Sequence, residues 1–536
     1  MKLVCNSQMQ EIENLSFENN SSSALLMDNA GKSIAEVVKN IIETHNINTK
    51  ILILVGPGNN GGDGLIAGTI LFTEGYDISI YVCSPRNNQD NLLSKCIEKN
   101  IPVTSIESSN FMSKLISDLS NCDLILDAIL GINANRPIVD PLTKVFELIE
   151  CEHTNRLSKY DSNMSQPFVI SIDIPSGMNS DNGAVYSHAV RADLTITLGF
   201  PKIGMFTENG LSHTGKIINL PIGLSKYGEH LSTEVIETEW IRSELPTREI
   251  NSHKGDSGKV LVWAGSRKYI GAAYLSCMAA MRTGSGYVTL ITTPKLQEIL
   301  ASKMTEPIYH LIPENLDGNL SYNASYSNVT SLKSNDVTLL GPGIDQNTES
   351  RRFLMNMLEY SKTVETQLVI DADGLNILSQ TENWQSSFHK PAILTPHPGE
   401  MARLMKTSIE TVQSNRIYHA RTAAVDWGHY IVLKGACTII ADPKGNCRII
   451  PFANPVLASS GTGDVLAGMI ASFAANMNSP FNAATIGAYI HAVVGEIMSE
   501  RIGKIGSLAG DMLPLIPSAI MKLSNKEFIH PIIIDR

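Results

Sequence analysis

Gly461-Thr462-Gly463-Asp464 opens an apolar run, Val465–Asn476, whose spacing predicts a helix. A turn of small residues ahead of a helix aims unpaired backbone N–H groups and the positive end of the helix dipole at whatever precedes it, which suits an anion. Asp464 stands where a carboxylate could take a proton from a hydroxyl as a phosphoryl group arrives. An Asp after a glycine turn also reads as a plain helix cap. Alone, the four residues leave these readings level, and the rest of the chain decides between them.

Five further motifs fall at the ends of apolar runs in the same half: Ala264-Gly265-Ser266, Gly341-Pro342-Gly343, Asp371-Ala372-Asp373-Gly374, Thr395-Pro396-His397-Pro398-Gly399-Glu400 and Lys434-Gly435-Ala436-Cys437-Thr438. One such turn is usually only a turn. Several glycine turns beside a proline or a carboxylate, at successive strand ends, are what a shared nucleotide cleft needs. The G-x-x-x-x-G-K-[ST] loop is absent, which excludes a P-loop NTPase. His397, stiffened by a proline on each side, reads as a substrate contact or a satisfied loop histidine. Lys434 ends an apolar strand, where meeting phosphate is the better reading than sitting unpaired in a core.

In the first half, the run Ile51–Val55 enters Gly56-Pro57-Gly58-Asn59-Asn60-Gly61-Gly62-Asp63-Gly64, followed by a helical pattern over Leu65–Phe72. Gly56, Gly58 and Gly61 satisfy G-x-G-x-x-G, but the next strand ends Cys83-Ser84-Pro85-Arg86, without the acidic residue that holds a ribose in a Rossmann NAD site. An NAD-dependent oxidoreductase is therefore the weakest reading. Two later strands end in Asp127 and in Asp173-Ile174-Pro175-Ser176. Parallel strands bring their carboxyl ends to one rim, so Asn60, Asp127 and Ser176 could converge as an all-oxygen set for a hard cation. Asp127 and Asp173 could equally be helix caps.

Apolar runs alternating with helical patterns make the chain α/β. The expected strands are Ile51–Val55, Ile78–Cys83, Leu124–Ala128, Val169–Ile174 and Leu194–Leu198, then Val260–Trp263, Val288–Thr292, Val337–Leu340, Leu368–Asp371, Ala392–Thr395 and Tyr430–Lys434. A charged connector with Pro246 separates the two series, which predicts domains at 1–235 and 236–536. With 536 residues, 43% hydrophobic and 18% charged, the chain is too long for one core and too apolar for disorder. The net charge of −11 and the lack of a Lys/Arg block argue against nucleic acid and anionic membranes as partners. Eight scattered cysteines without a Cys-x-x-Cys pair argue against zinc and a disulfide framework. With no signal-like N-terminus and no apolar stretch long enough to span a bilayer, a cytoplasmic location is expected.

Over residues 1–225 these motifs resemble the NAD(P)HX epimerase family, the YjeF N-terminal domain, a Rossmann-like fold. Asn59–Asp63-Gly64 and Asp173–Met178 carry the likeness, with Met27–Gly31 near the start, where the family usually has Glu at Asp28. The resemblance implies potassium at Asn60, Asp127 and Ser176. It implies hydrated dinucleotide at Asn59, Asn60, Gly61, Gly62, Asp63, at Gly131, Ile132, Asn133, Ala134, Asn135, Arg136, Pro137, and at Asp173, the proton-handling or orienting group. The 131–137 loop lacks the second glycine of the family's Gly-Thr-Gly. From Arg242 onward the chain is similar to the ribokinase-like NAD(P)HX dehydratase family, the YjeF C-terminal domain, with Ser252-His253-Lys254-Gly255 at its entrance. That likeness implies hydrated-dinucleotide contacts at Ala272, Gly343, His397 and Asp464, nucleotide contacts at Lys434, Gly435, Ala436, Cys437, Thr438 and Gly463, and Asp464 as base. Asp345 stands where the family has glycine. Together the halves imply a bifunctional isomerase and lyase that repairs hydrated NADH or NADPH, using ADP or ATP with Mg2+, as a homo-oligomer. The alternative is a ribokinase-type small-molecule kinase fused to a non-catalytic, epimerase-like interaction domain.

Overall fold

The computed structural model describes residues 1–536 except 20, 46, 87–89, 134–136, 159–166, 186, 316–319, 322–334 and 535–536, and except the side chains of 153–158. The chain forms two compact units: Met1–Glu234 with His530–Arg536, and Val235–Ile529. The last seven residues thus lie with the first unit, whereas the sequence reading placed everything after 235 in the second domain. They had no signal of their own, since a short terminal apolar segment can pack on either neighbour.

In the first unit the strands are β1 (Lys50–Val55), β2 (Asp77–Val82), β3 (Val103–Ser105), β4 (Leu124–Ala128), β5 (Phe168–Ile172), β6 (Leu194–Leu198) and β7 (Lys216–Leu220). They form one parallel sheet in the order β3-β2-β1-β4-β5-β6-β7. Strands β1, β4, β5 and β6 are nearly continuous apolar runs because helices cover both faces of a parallel sheet, and two buried clusters lie on its two faces. Ile53, Val55 and Ile80 belong to one, Leu52, Leu54 and Tyr81 to the other. The order reverses between β1 and β4, the place where an open α/β sheet binds ligands.

The helix after β1 begins at Asn59 and runs to Thr73, six residues earlier than the sequence predicts. Gly56, ahead of it, and Gly64, within it, serve close packing. A Cβ on Gly56 would lie 1.7 Å from the Ile129 carbonyl oxygen, and one on Gly64 would lie 2.7 Å from the Ala128 Cβ. The Asn-Asn-Gly-Gly-Asp core is therefore the first turn of a helix seated against β4. At the other end of the sheet, Ile217 of β7 donates to the Ile532 carbonyl at 2.7 Å and accepts from the Ile534 amide at 3.0 Å, with Ile533 buried between them.

The chain enters the second unit through β8 (Thr233–Val235). The strands that follow are β9 (Lys259–Trp263), β10 (Tyr287–Thr292), β11 (Ile308–Leu311), β12 (Val337–Leu340), β13 (Gln367–Ile370), β14 (Ile393–Leu394), β15 (Tyr430–Leu433), β16 (Ile439–Ala441) and β17 (Cys447–Ile449). The sheet order is β11-β10-β9-β12-β13-β14-β15-β16-β17-β8. Strands β9 to β15 are parallel, and β16 and β17 turn back antiparallel. Its order reverses between β9 and β12, which places Gly265-Ser266 and Gly341–Gly343 side by side; the Gly265 amide donates to the Pro342 carbonyl at 2.8 Å. Among the described residues no helix is long and apolar enough to cross a membrane.

Ile533→Ala should destabilise the first unit by about 2–4 kcal/mol, the usual cost of truncating a fully buried Ile. Chemical denaturation of the full-length chain checks this, with the loss expected in the transition reported by the first unit.

Candidate active sites on the two sheet rims

Asp127 ends β4 completely buried, and four donors surround its carboxylate. Ser176 donates from its hydroxyl at 2.6 Å and its amide at 2.9 Å, Ser171 from its hydroxyl at 2.8 Å, and the Ile129 amide at 3.3 Å. Burial pushes the carboxyl up, and those hydrogen bonds pull part of the way back. The Ser176 hydroxyl also lies 3.3 Å from the Leu130 carbonyl, which accepts from the Asn60 amide at 3.0 Å. The remaining oxygen of Asn60, Oδ1, is buried without a hydrogen-bond partner among the described residues. The fold thus gathers the three expected potassium ligands, Asn60, Asp127 and Ser176, around the Leu130 carbonyl. An orphaned amide oxygen beside a carbonyl, a hydroxyl and a buried negative charge suits a hard cation.

Beside this cluster lies a cavity of about 790 Å3, lined among others by Asn59, Asn60, Asp63, Gly131, Ile132, Asn133, Pro137 and Asp173. That volume is in the range of small-molecule sites. Gly61 and Gly62, in the same helical turn, are buried behind it. Ala134, Asn135 and Arg136 lie outside the described residues. The rest of that loop is tied down: the Ile132 carbonyl accepts from Ser180 at 3.3 Å, and Asn133 accepts from the Gln10 amide at 3.1 Å.

Asp173 follows β5 with φ +66, a left-handed conformation that costs a non-glycine residue energy and is typical of functional sites. The buried Lys202 ammonium donates to its Oδ1, and also to Thr197 at 3.2 Å and to the Leu198 carbonyl at 3.0 Å. The Leu198 amide donates to Asp173 at 3.2 Å. Lys202 was missed in the sequence; its only signal is a lone lysine in the apolar stretch 198–206. Asp63 has the opposite environment. Burial raises its carboxyl well above the usual range, Asp173 and Glu13 add to this, and Lys202 only partly opposes it.

In the second unit, helix Thr462–Asn476 starts at the small-residue turn, with Gly461 at φ +90 and Asp464 in the first helical turn. His491, neutral because burial lowers it to about 4, donates from Nε2 to the Thr462 carbonyl at 2.9 Å and pins that turn. Lys434 is neither unpaired nor exposed. Its ammonium donates to Asp371 at 2.6 Å and lies 3.7 Å from Glu400. Burial pulls it down, but Asp371 and Glu400 outweigh this and hold it above its ordinary value. Thr395 donates to the same Asp371 oxygen at 2.7 Å. A Cβ on Gly463 would lie 3.5 Å from the Lys434 ammonium, so the helix turn and the lysine share one site. Burial, then the Asp371 charge, pushes Asp464 up to about 7, with Lys434 pulling the other way. Burial likewise pushes Glu400 up.

His397 turns out to cap the helix Pro398–Met405. Its Nδ1 accepts from the amides of Gly399 at 3.0 Å and Glu400 at 3.4 Å, and Glu400 returns the bond to the His397 amide at 2.8 Å. The ring, lowered to about 4 by burial and by Lys434, is neutral with its proton on Nε2. The loop-histidine reading holds for Nδ1, while Nε2 lies on the half-exposed edge of the ring, 3.4 Å from a Glu400 oxygen. Gly343, at φ +62, abuts Ala272: its added Cβ would come within 2.8 Å of the Ala272 Cβ. Ala272 lies on the helix Ile270–Thr283, and one turn further along it Ser276 donates to the Asp464 carbonyl at 3.3 Å, which joins Ala272 and Gly343 to the Asp464 site. Of the 434–438 segment, Cys437 is buried with its amide donating to the Phe452 carbonyl at 2.9 Å, and the Thr438 hydroxyl donates to the Gly435 carbonyl at 3.0 Å. Asp345 adopts φ +64, the conformation that favours glycine, and is held by Lys268 at 3.1 Å. The pairing of Asp371, Thr395 and Glu400 with Lys434 was not read from the sequence.

Lys434→Met should destabilise the second unit by about 3–5 kcal/mol at neutral pH, because it strands buried carboxylates without their cation. Equilibrium denaturation of the full chain checks this.

A family model described as NAD(P)H-hydrate dehydratase matches residues 260–517, and one described as YjeF-related protein N-terminus matches residues 23–204. The chain is 32% identical over 534 residues to the bifunctional NAD(P)H-hydrate repair enzyme Nnr of Moorella thermoacetica, covering 98% of each chain. It is 32% identical over 510 residues to the Nnr of Thermofilum pendens, covering 93% of this chain and 92% of that one. A solved structure of the ADP/ATP-dependent NAD(P)H-hydrate dehydratase of Bacillus subtilis, co-crystallised with ATP and Mg2+, aligns at 29% identity with a TM-score of 0.48, over 54% of this chain and 97% of that one.

Proposed function

The chain belongs to the family of bifunctional NAD(P)H-hydrate repair enzymes, and from that premise we propose how its two units divide the repair. The match to two-activity relatives along nearly the whole length displaces the reading of a kinase fused to an inert domain. The first unit interconverts the R and S epimers of hydrated NADH or NADPH, which differ at the ring carbon C6 that carries the hydroxyl. The second unit converts the S epimer to NAD(P)H at the expense of ADP or ATP, yielding AMP or ADP and phosphate.

The observation that carries the second assignment is Asp464, held near 7 within the first turn of a helix and beside the Lys434 ammonium. A base with that affinity is half ionised at neutral pH and still strong enough to accept a hydroxyl proton. As the C6 oxygen attacks the donor's terminal phosphorus, its proton passes to Asp464. The amides of the Gly461–Gly463 turn and the Lys434 ammonium face the charge on the transferring phosphoryl group. Phosphate then leaves C6 as the N1 lone pair forms C6=N1+, and loss of a proton from C5 restores the reduced nicotinamide. Hydroxide is a poor leaving group and phosphate a good one, which is why a kinase-like fold can run a dehydration. His397 Nε2, Ala272 and Gly343 contact the hydrated ring side; the 434–438 backbone and Gly463 contact the nucleotide. Mg2+ bound with the nucleotide would neutralise phosphate charge, and Glu400, buried 3.7 Å from the Lys434 ammonium, would be the carboxylate to hold it.

In the first unit, Asn60, Asp127 and Ser176, with the Leu130 carbonyl, would hold K+, which supplies fixed positive charge next to the bound dinucleotide. Asn59–Asp63 and the 131–137 loop hold the substrate. Asp173, locked by Lys202 and by its own strained backbone, handles a proton of the oxygen that leaves or joins C6.

Asp464→Asn should slow dehydration of the S epimer on the order of 10²- to 10⁴-fold while leaving epimer exchange intact. The recovery of reduced-nicotinamide absorbance from hydrated NADH and ADP measures the first, and chromatography of the epimers the second. Because the base works only when deprotonated, wild-type kcat/KM for dehydration should rise with pH through about 7 and fall on the acid side; near-normal recovery in the variant would refute the assignment. Asp127→Asn, which keeps the shape and removes the charge, should weaken K+ activation of epimer exchange about 10- to 100-fold. Exchange with unchanged K+ dependence would leave Asp127 a structural cap.

A further inference from the structure

Exchange of configuration at C6 by loss and return of water needs one group that gives a proton to the leaving hydroxyl and one that takes a proton from the incoming water, and on the reading above Asp173 is one of the two. Among the described residues, the other titratable side chains lining the first unit's cavity are Glu13, Asp63, Cys83 and Asp140. Burial holds the Cys83 thiol far above the range in which it ionises. The Asp140 side chain is well exposed and lies 3.7 Å from Lys144. Asp63 belongs to helix Asn59–Thr73, the same rim element that carries Asn59 and Asn60.

Glu13 reaches the cavity from a different wall, the N-terminal helix Asn6–Glu18, which precedes the residues that the family model matches. Gln10, Glu13 and Phe17, spaced three and four apart, form one stripe of that helix, and all three line the cavity. Ile12 and Ser16 are fully buried and anchor the helix. Asn133 ties its start to the substrate loop, accepting from the amides of Asn6 at 3.2 Å and Gln10 at 3.1 Å. Glu13 is thus presented to the cavity by a fixed element. Asp173 is paired with a buried ammonium, whereas Glu13 has no ion-pair partner among the described residues. Burial pushes its carboxyl up, the Asp173 charge adds to this, and Lys202 pulls back. A carboxylate paired with a cation and a carboxyl group without one, on different walls of one cavity, are a usual arrangement of a base and an acid.

We propose that Glu13 is the second proton-handling group of the epimerase site, giving a proton to the C6 hydroxyl while Asp173 takes the proton of the water that replaces it. The C6–O bond breaks, the departing water carries the Glu13 proton, and the N1 lone pair forms C6=N1+. Water then adds to the other face, the electron pair returns to N1, and the released proton goes to Asp173. The reverse inversion runs the same protons backwards. One water leaves and one enters, and no oxidant or further reactant is required.

This rests on the epimerase reading above. Glu13→Gln, in the full-length chain, should lower kcat for epimer exchange about 100-fold or more with little change in KM. Uptake of 18O at C6 from labelled water should fall in step, and Glu13→Asp should restore part of both. Asp63→Asn, at a substrate-contact position, should act mainly through KM. The proposal is overturned by wild-type exchange without label uptake, by a Glu13→Gln chain that exchanges like wild type, by a loss confined to KM, or by Asp63→Asn taking the kcat loss instead. A wild-type chain that exchanges nothing would overturn the epimerase reading and this proposal with it.

Discussion

A single buried ammonium governs the second unit. Lys434 sits among the carboxyl groups of Asp371, Glu400 and Asp464, and one positive charge cannot balance all three. Asp371, in direct contact, takes the ion pair, and its second donor Thr395 fixes it there. Asp464, farther from the ammonium and buried, is left with its proton affinity near neutrality. The proton affinity of Asp464 is therefore set first by burial and then by the charges around it, and the glycine turn alone would not do this. His491 and Ser276, each bonded to a carbonyl of the Thr462–Asp464 turn, hold that balance in one geometry.

The first unit solves a similar problem with different means. Asp127 is fully buried with no basic side chain paired to it among the described residues, so four donors share its charge and the neighbouring Asn60 oxygen is left over. Asp173 has its cation in Lys202, which is itself held by a hydroxyl and a carbonyl. Both groups follow strand ends beside the point where sheet order reverses, β4 next to β1 and β5 next to β4. The second sheet reverses between β9 and β12, and its glycine turns meet there. In both units, topology brings polar strand ends to one rim, and burial then decides which of them stay charged.

The central strands were legible as apolar runs because both faces of a parallel sheet are buried. Val103–Ser105, Ile439–Ala441 and Cys447–Ile449 were not, since three residues carry no period. Ile308–Leu311 was not either, as an edge strand that buries little. The helix start at Asn59 was misread because glycines chosen for close packing look the same in sequence as glycines chosen for turns. At the sites, groups carried by local motifs were visible: Asn60, Asp127, Asp173, Ser176, His397, Asp464. Their partners were not, because Lys202 meets Asp173 across 29 residues and Lys434 meets Asp371 across 63. Spacing in the chain says nothing about such pairs until the sheet is built.

The central claim is that one site exchanges epimers while the other consumes only one of them. The most direct measurement follows both epimers of hydrated NADH by chromatography after a limiting amount of the full-length chain and an excess of ADP are added to a mixture. The account predicts that the S epimer falls first, that the R epimer then drains at the enzyme's exchange rate, and that all of the hydrate returns as NADH. Equal initial rates of loss for both epimers, or an R epimer lost no faster than in buffer alone, would contradict it.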